Sequence, residues 1–406
     1  MSLALFAEVA LAPRDPILGL TEAFIADTRA EKVNLGVGVY LNDQGKVPLL
    51  EAVREAERMR LEAAPARGYL PIEGYADYNR AVQQLLFGAH PDLLAQGRSL
   101  SIEALGGTGA LKVGADFLKR LRPDASVWIS DPSWENHSAL FEAAGFPVKS
   151  YAYYDPGTHG VRFDALLAAV STMRAGDVMV LHACCHNPTG VDLDAAQWTS
   201  LIAAIGQQGV IPFLDMAYQG FAEGIEQDAM ALGLLADSGQ SFLVSSSFSK
   251  SFSFYGERVG ALSLVTQSSD ETARVMSQIK CVIRTNYSNP PTHGAAVVAA
   301  VLNTPLLRAK WEQELAGMRE RIRSMRQGFV DGLRQLGVHR DFSFVTQQRG
   351  MFSYSGLNST QVDRLREEFG IYAVSTGRIC LASLNSRNLD YVCASVAKVL
   401  SSTTLH

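Results

Sequence analysis

The 406 residues are 47% hydrophobic and 19% charged, with a formal net charge of -5. That balance offers no basic surface to nucleic acid or to an anionic membrane, and no apolar run approaches the roughly 20 residues of a membrane span. A chain this long predicts two domains, one of them large; the N-terminus MSLALFAEVALAPRDP lacks the basic start and long apolar core of a secretory signal, and five cysteines make no disulfide framework, so a soluble cytoplasmic protein is expected.

In chain order, residues 1–13 carry scattered apolar positions (Leu3, Leu5, Phe6, Val9, Leu11) and end at Pro13. Such an arm cannot bury itself and is expected on a partner subunit. Asp15-Pro16 then opens a helix through Ile17, Leu20, Phe24 and Ile25, with proline at an early position where it is tolerated. Asn34–Tyr40 (NLGVGVY) reads as a short strand or loop, Asn42–Gly45 as a turn, and Leu50–Ala63 as a helix. In the middle of the chain, Ser126–Ser130, Val178–His182, Ile211–Leu214, Phe242–Val244 and Ala261–Val265 read as strands. Between them, Asp116–Leu121, Glu135–Ala144, Phe163–Val170 and Ala195–Ile205 have helical periodicity. The alternation predicts an α/β fold with a mostly parallel sheet covered on both faces, and ligands in such sheets bind beyond the carboxyl ends of the strands. After Pro305 a helical pattern rich in Arg and Glu runs to about Leu336, long enough to connect two domains. The tail holds short strands (Phe342–Thr346, Phe352–Tyr354, Ile379–Leu381) and helical stretches (Thr360–Phe369, Leu389–Ser401), a smaller α+β domain.

Residues that could carry chemistry stand just past strand ends or in glycine-rich loops. Gly106-Gly107-Thr108-Gly109 precedes a helical pattern, where glycines let backbone amides approach an anion. Lys112 stands where a dinucleotide fingerprint needs glycine, so the stretch is a phosphate site of another kind or a plain turn. Trp134, after Asp131-Pro132-Ser133, could stack on a flat cofactor ring or simply pack. His182-Ala183-Cys184-Cys185-His186 crowds metal-ligand types together, but adjacent Cys-Cys-His cannot wrap one tetrahedral ion, and no metal is expected. Asn187, before Pro188, is the better candidate. Asp215 closes an apolar strand with Tyr218 three residues on; a buried carboxylate needs a partner, and a protonated pyridine nitrogen would suit it as well as a helix end.

Lys250 lies in FLVSSSFSKSFSFYGERVG, at the end of an apolar strand, among Ser245, Ser246, Ser247 and Ser249, with Arg258 eight positions on. A desolvated amine there can attack a carbonyl, and hydroxyls with a fixed guanidinium suit a phosphate monoester. Together they suggest pyridoxal 5′-phosphate held as a Schiff base; a solvated surface lysine is the alternative. Arg284 and Arg378 sit in loops among small or apolar residues, as carboxylate clamps or as surface ion pairs.

The order of these pieces resembles the class I aminotransferases of fold type I, the aspartate and aromatic amino acid aminotransferases. The resemblance runs from about Asp15 to the end through LGVGVY, GYLPIEG, GGTGALK, DPSWENH, CCHNPTG, AYQGF, SKSFSFYGERVG, NYSNPP, RGMFSYSGL and TGRICLASLN. It implies a large domain with a mostly parallel seven-stranded sheet between helices (47–317), a small domain from 14–46 and 318–406, and an arm, 1–13, on the partner of a homodimer with shared active sites. It further implies that Lys250 carries the Schiff base and shuttles the proton, that Asp215 pairs with the pyridine nitrogen, and that Tyr218 and Asn187 bond the cofactor's phenolic oxygen. Trp134 would stack on the ring; Gly107, Thr108, Ser247 and Arg258 would hold the phosphate, with Tyr69 reaching in from the other subunit. Arg378 would grip the substrate α-carboxylate, with Gly38 and Asn187 nearby, and Arg284 of the partner chain would face the substrate side chain. Leu41 and Val47, expected near the mouth, and GYLPIEG, ADFLKR and QVDRLREEFG are similar to the bacterial aromatic enzymes, whereas Thr108 and Asn289 are closer to the aspartate side. The expectation is transamination of phenylalanine, tyrosine and tryptophan with 2-oxoglutarate, with aspartate also accepted. Strict aspartate specificity is the alternative, and a non-catalytic cofactor-binding regulatory module a remote one.

Overall fold

The computed structural model describes residues 6–12 and 17–401; the expected helix start at Asp15-Pro16 and residues 1–5 and 13 of the expected arm lie outside them. Seven strands make the central sheet: β1 (Ser99–Leu105), β2 (Val127–Asp131), β3 (Val148–Ala152), β4 (Val178–His182), β5 (Ile211–Met216), β6 (Phe242–Ser247) and β7 (Val259–Val265). Their spatial order is β1-β7-β6-β5-β4-β2-β3, with β7 antiparallel to both neighbours and the rest parallel. Because β7 runs backwards, the residues before it and the residues after β1, β2, β4, β5 and β6 all come to one edge. That edge receives Gly106, Trp134, Asn187, Asp215, Lys250 and Arg258.

The strands are apolar on both faces, as a sheet covered on both sides requires. Val178 and Val180 of β4 pack into one cluster with Phe213, Leu243 and Leu262, while Met179 and Leu181 pack into another with Leu214, Trp198 and Val297. The first cluster is closed by α3 (Gly106–Leu121), whose Ala110, Leu111, Val113 and Leu118 are buried, the second by helices on the opposite face; chain-order labels α1 and α2 go to Leu18–Ala26 and Glu51–Ala63. A third cluster joins Val33 and Leu35 to Phe329, Val330, Val362, Ile379, Val392 and Val399. The long helix α4 (Pro305–Gln335) spans two of these cores: Leu307, Trp311, Leu315, Met318 and Ile322 lie in one, Phe329, Val330 and Leu333 in the other. Short pairings complete the fold: Val33–Asn34 lies parallel to Ile371–Tyr372, and Phe352–Tyr354 lies antiparallel to Arg378–Cys380.

Several elements depart from those expected: the helices Ala76–Phe87, Ser269–Asn286 and His293–Asn303 had not been expected, and Arg284, expected in a loop, lies in the second of them. β1 (SLSIEAL) mixes Ser and Glu with apolar residues, so its burial on both faces is set by its pairing with β7 rather than by composition. β3 (VKSYA) is an edge strand with exposed Lys149 and Ser150, and carries a weak apolar signal for that reason. Phe342–Thr346, expected as a strand, instead leads into a short helix, Phe344–Gln347: the Asp341 carboxylate accepts from Ser343 N and Oγ, both at 2.8 Å, and turns the chain. Among the described residues, no helix is long and apolar enough to cross a membrane.

Candidate active site

One cleft, with a cavity of about 240 Å³, opens at the carboxyl edge of the sheet. At its inner end α3 starts at Gly106, directly after β1, so the unsatisfied amides of its first turn and its partial positive charge face the cleft. Gly106 has φ +69°, and a Cβ there would stand 2.5 Å from Arg258 Nη2, so glycine lets the guanidinium close over the helix start. Arg258 itself has φ +56°, a strained conformation for a side-chain-bearing residue, in the turn that delivers it to this edge. Its Nη1 donates to Ser249 Oγ (3.2 Å) and to the Tyr255 carbonyl (3.0 Å). Thr108 and Ser247 add hydroxyls to the wall. Helix amides, two hydroxyls and a fixed guanidinium form a donor set that fits a phosphate monoester.

In the middle of the cleft stand Lys250 and Asp215. Burial, countered by Asp215 and reinforced by Arg258, pushes the Lys250 amine down from 10.5 to about 8. Its Nζ lies 5.2 Å from the centre of the Tyr218 ring. Asp215 closes β5 and is 6% exposed. Burial alone would raise its carboxyl, but the His137 hydrogen bond and the Lys250 charge hold it below the ordinary value. His137 is fully buried; its Nε2 donates to Asp215 Oδ2 at 2.9 Å, and its Nδ1 lies 2.9 Å from Ser133 Oγ. His182 packs beside it, ring centres 5.1 Å apart, and burial pushes its imidazole down to about 3, so it is neutral. The Asp215 carboxylate is therefore kept ionised and fixed by residues behind it, with one edge toward the cleft. A buried carboxylate of this kind fits a cationic ring nitrogen.

The third part of the cleft is Arg378, 1% exposed. Its Nη2 donates to the Gly36 carbonyl (2.7 Å) and its Nη1 to Asn187 Oδ1 (3.2 Å), while its buried Nε has no hydrogen-bond partner. The nearest acidic group, Glu135, is 3.9 Å away and partly exposed. The Phe352 ring lies against the guanidinium, 4.4 Å from Cζ to ring centre. A buried arginine whose one acidic neighbour stands at 3.9 Å, and which keeps a free donor, is a ready clamp for a carboxylate.

Of the residues predicted from sequence, Gly38, Gly107, Thr108, Trp134, Asn187, Asp215, Tyr218, Ser247, Lys250, Arg258 and Arg378 all line this cleft. Tyr69 and Arg284 do not: Tyr69 is 97% exposed, and Arg284 is exposed, with its Nη1 donating to Ser288 Oγ. The segments that carry them touch, since Asn289 Nδ2 donates to the Leu70 carbonyl at 3.3 Å. Leu41 and Val47 are not in the wall either; the apolar lining includes Ile17, Leu111, Trp134, Ala217 and Phe352. Sequence reasoning assigned no role to His137 or Phe352. The signal for His137 was its place four residues after Ser133 at a helix start, which aims its ring back toward β5; Phe352 carried none. The Cys184–Cys185 pair lies near Asp228, whose two carboxylate oxygens accept four backbone amides, from Gly220, Ala222, Glu223 and Gly224.

Residues 30–396 match the model of the family described as aminotransferase class I and II. The chain is 64% identical to an aspartate aminotransferase of Pseudomonas aeruginosa over 98% of this chain and 100% of the relative. It is 52% identical to the aromatic-amino-acid aminotransferase of Escherichia coli K12, over 95% of this chain and 98% of that one. Among solved structures, the aromatic-amino-acid aminotransferase of Burkholderia pseudomallei covalently bound to pyridoxal phosphate superposes with a TM-score of 0.96 at 64% identity, covering 98% of this chain and 100% of the other.

Proposed function

The chain belongs to the class I and II aminotransferases, and we propose that it moves an amino group between amino and 2-oxo acids with pyridoxal 5′-phosphate, taking aromatic amino acids as well as aspartate and using 2-oxoglutarate as acceptor. The observation that carries this reading is the set of charged groups brought to one cleft: Arg258 against a helix N-terminus, Lys250 and Asp215, and Arg378. When bound, the cofactor supplies an aldehyde that captures amines and a ring that takes up the electron pair left at the substrate Cα.

The chain's own residues do the rest. Thr108, Ser247, Arg258 and the amides of Gly107 and its neighbours would hold the phosphate, and Trp134 would line the ring's place. Asp215, fixed by His137, would keep a positive charge on the ring nitrogen, and Tyr218 and Asn187 would bond the phenolic oxygen. Lys250, with an amine near 8, is neutral in a useful fraction at neutral pH. It can therefore hold the aldehyde and then move a proton from Cα and return it on the other side of the transfer. Arg378, with Asn187 and Gly38, fixes the α-carboxylate so that the Cα–H points at Lys250.

The same reading makes the active unit a homodimer. Tyr69 and Arg284 are exposed in a single chain, as are Met59 and Leu61. A partner would bury them, and each chain would lend its Tyr69 to the other's phosphate site and its Arg284 to the other's substrate side chain. Residues 14–46 and 318–406 would form a small domain against a large domain of 47–317, with the arm, 1–13, across the partner. The five cysteines are unpaired, in keeping with a cytoplasmic location.

Aspartate as the preferred substrate is the second reading, favoured by the name of the 64% identical relative. Ile17, Leu111 and Phe352 in the cleft wall favour a broader pocket. The test is glutamate production from 2-oxoglutarate by the cofactor-loaded enzyme, with phenylalanine or aspartate as donor. Glutamate from both supports the proposal, glutamate from aspartate alone gives the second reading, and glutamate from neither overturns both.

A further inference from the structure

Arg326 lies on α4 between Ile322, the last helix residue of one core, and Phe329, the first of the other. It is 2% exposed, and among the described residues it makes no ion pair within 4 Å. A buried cation without a counter-ion is costly unless its donors are met. They are met by backbone: Nη1 donates to the Val345 carbonyl (2.9 Å), and Nη2 to the Gly350 (2.7 Å) and Phe352 (2.6 Å) carbonyls. One guanidinium thus gathers both ends of the 345–352 loop.

That loop sits on the turn that carries Asn187. Arg349 N donates to the Gly190 carbonyl at 2.6 Å, and a Cβ on Gly190 would come within 2.8 Å of the Phe352 carbonyl oxygen. At its end the loop presents the Phe352 ring to the cleft. The ring lies against the Arg378 guanidinium, meets Tyr218 edge-on with centres 6.0 Å apart, and is so close to Gly38 that a Cβ there would stand 2.6 Å from Phe352 Cζ. Phe352 therefore has no room to shift without moving Arg378, and its backbone is set by Arg326.

We propose that Arg326 is a positioning residue for substrate carboxylate binding: it fixes the 345–352 loop, and through Phe352 the plane of the Arg378 guanidinium. The inference rests on the reading of Arg378 as the carboxylate clamp. It assigns the carboxylate affinity of the cleft in part to a side chain that never touches the substrate. A lysine at 326 keeps the charge but offers its donors from a single nitrogen, without the planar fork that reaches carbonyls at both ends of the loop.

The test measures dissociation constants of two unreactive carboxylates, 3-phenylpropionate and succinate, on the cofactor-loaded enzyme by titration calorimetry. Arg326→Lys is expected to weaken both about tenfold, the size of a coupling between residues in contact. The loss in turnover should fall on KM more than on kcat, with the pH titration of the cofactor absorbance unmoved. Phe352→Leu should give a similar loss, and the double variant should be no weaker than about the worse single one, because the two act in series. Unchanged dissociation constants in Arg326→Lys, a lower melting temperature without any loss of binding, or single losses that multiply in the double variant would each overturn the proposal. Unchanged binding in Phe352→Leu overturns it even where no Arg326 variant folds. A wild-type enzyme that binds both carboxylates yet transfers no amino group would defeat the functional reading and leave this one standing.

Discussion

Replacing Arg378 by methionine removes the proposed α-carboxylate clamp while keeping an unbranched side chain against the Phe352 ring. In the structure this arginine has one donor bonded to Gly36, one to Asn187 and a buried Nε with no partner. A bound carboxylate would add a charge-assisted pair, and truncating one side of a buried hydrogen-bonded charge pair costs about 2–5 kcal/mol. Taking about 3–4 kcal/mol, kcat/KM should fall by about 10²–10³-fold. Every substrate carries an α-carboxylate, so the loss should be similar for phenylalanine, tyrosine, aspartate and 2-oxoglutarate. Stability should change little, because the acceptors left on Gly36 and Asn187 are offset by removal of a buried, incompletely paired cation. The assay is steady-state kinetics with each donor and acceptor, alongside thermal unfolding. A loss confined to aspartate would mean that Arg378 faces the second carboxylate, and the assignment of the two arginines would be reversed.

Lys250→Ala should abolish steady-state transfer, measured as glutamate formed; appreciable turnover would remove Lys250 from the mechanism. In the cofactor-free protein, the Lys250 amine is lowered from 10.5 to about 8, so the unfolded chain binds more protons between those values and stability rises with pH across that window. Lys250→Met should therefore stabilise the cofactor-free protein at pH 7 by up to about 3 kcal/mol, a gain that fades as pH rises toward 10 in denaturant titrations. A gain independent of pH would contradict it. His137→Phe removes the donor that holds the Asp215 carboxyl low; burial then raises it, kcat should fall about tenfold, and the acid limb of the pH–rate profile should move to higher pH. An unmoved acid limb would separate His137 from Asp215. Gly106→Ala places a Cβ against Arg258 at a left-handed backbone position, and titration of the cofactor-free protein should show cofactor binding weakened about tenfold or more.

The strands that bear the site were legible because they are apolar runs closed by a polar residue. Phe213-Leu214-Asp215 and Phe242–Val244 followed by serines announce both the strand and the place where it meets solvent. β1 was not legible, because Ser99, Ser101 and Glu103 are buried by pairing with β7, a contact about 160 residues away in sequence. Lys250, Asp215 and Arg258 could be named from residue type and neighbourhood. Their convergence was implied by the family resemblance and not by residue type: it depends on β7 running antiparallel, which turns Arg258 back to the carboxyl edge. His137 escaped notice because its importance comes from a tertiary hydrogen bond to Asp215, and the buried state of Arg378 and Arg326 is likewise set by packing between distant segments. Leu41 and Val47 were expected at the mouth, yet the single chain places Ile17, Leu111 and Phe352 in the wall.

The central claim is that one cleft takes both aromatic and dicarboxylic amino acids through Lys250. The most direct measurement mixes the cofactor-loaded enzyme with phenylalanine, and separately with aspartate, in a stopped-flow spectrometer and follows conversion of the lysine-bound cofactor absorbance to that of its amine form in a single turnover. The account predicts fast conversion with both, phenylalanine matching or exceeding aspartate. Conversion with aspartate alone would contradict it and make the enzyme a dicarboxylate-specific aminotransferase.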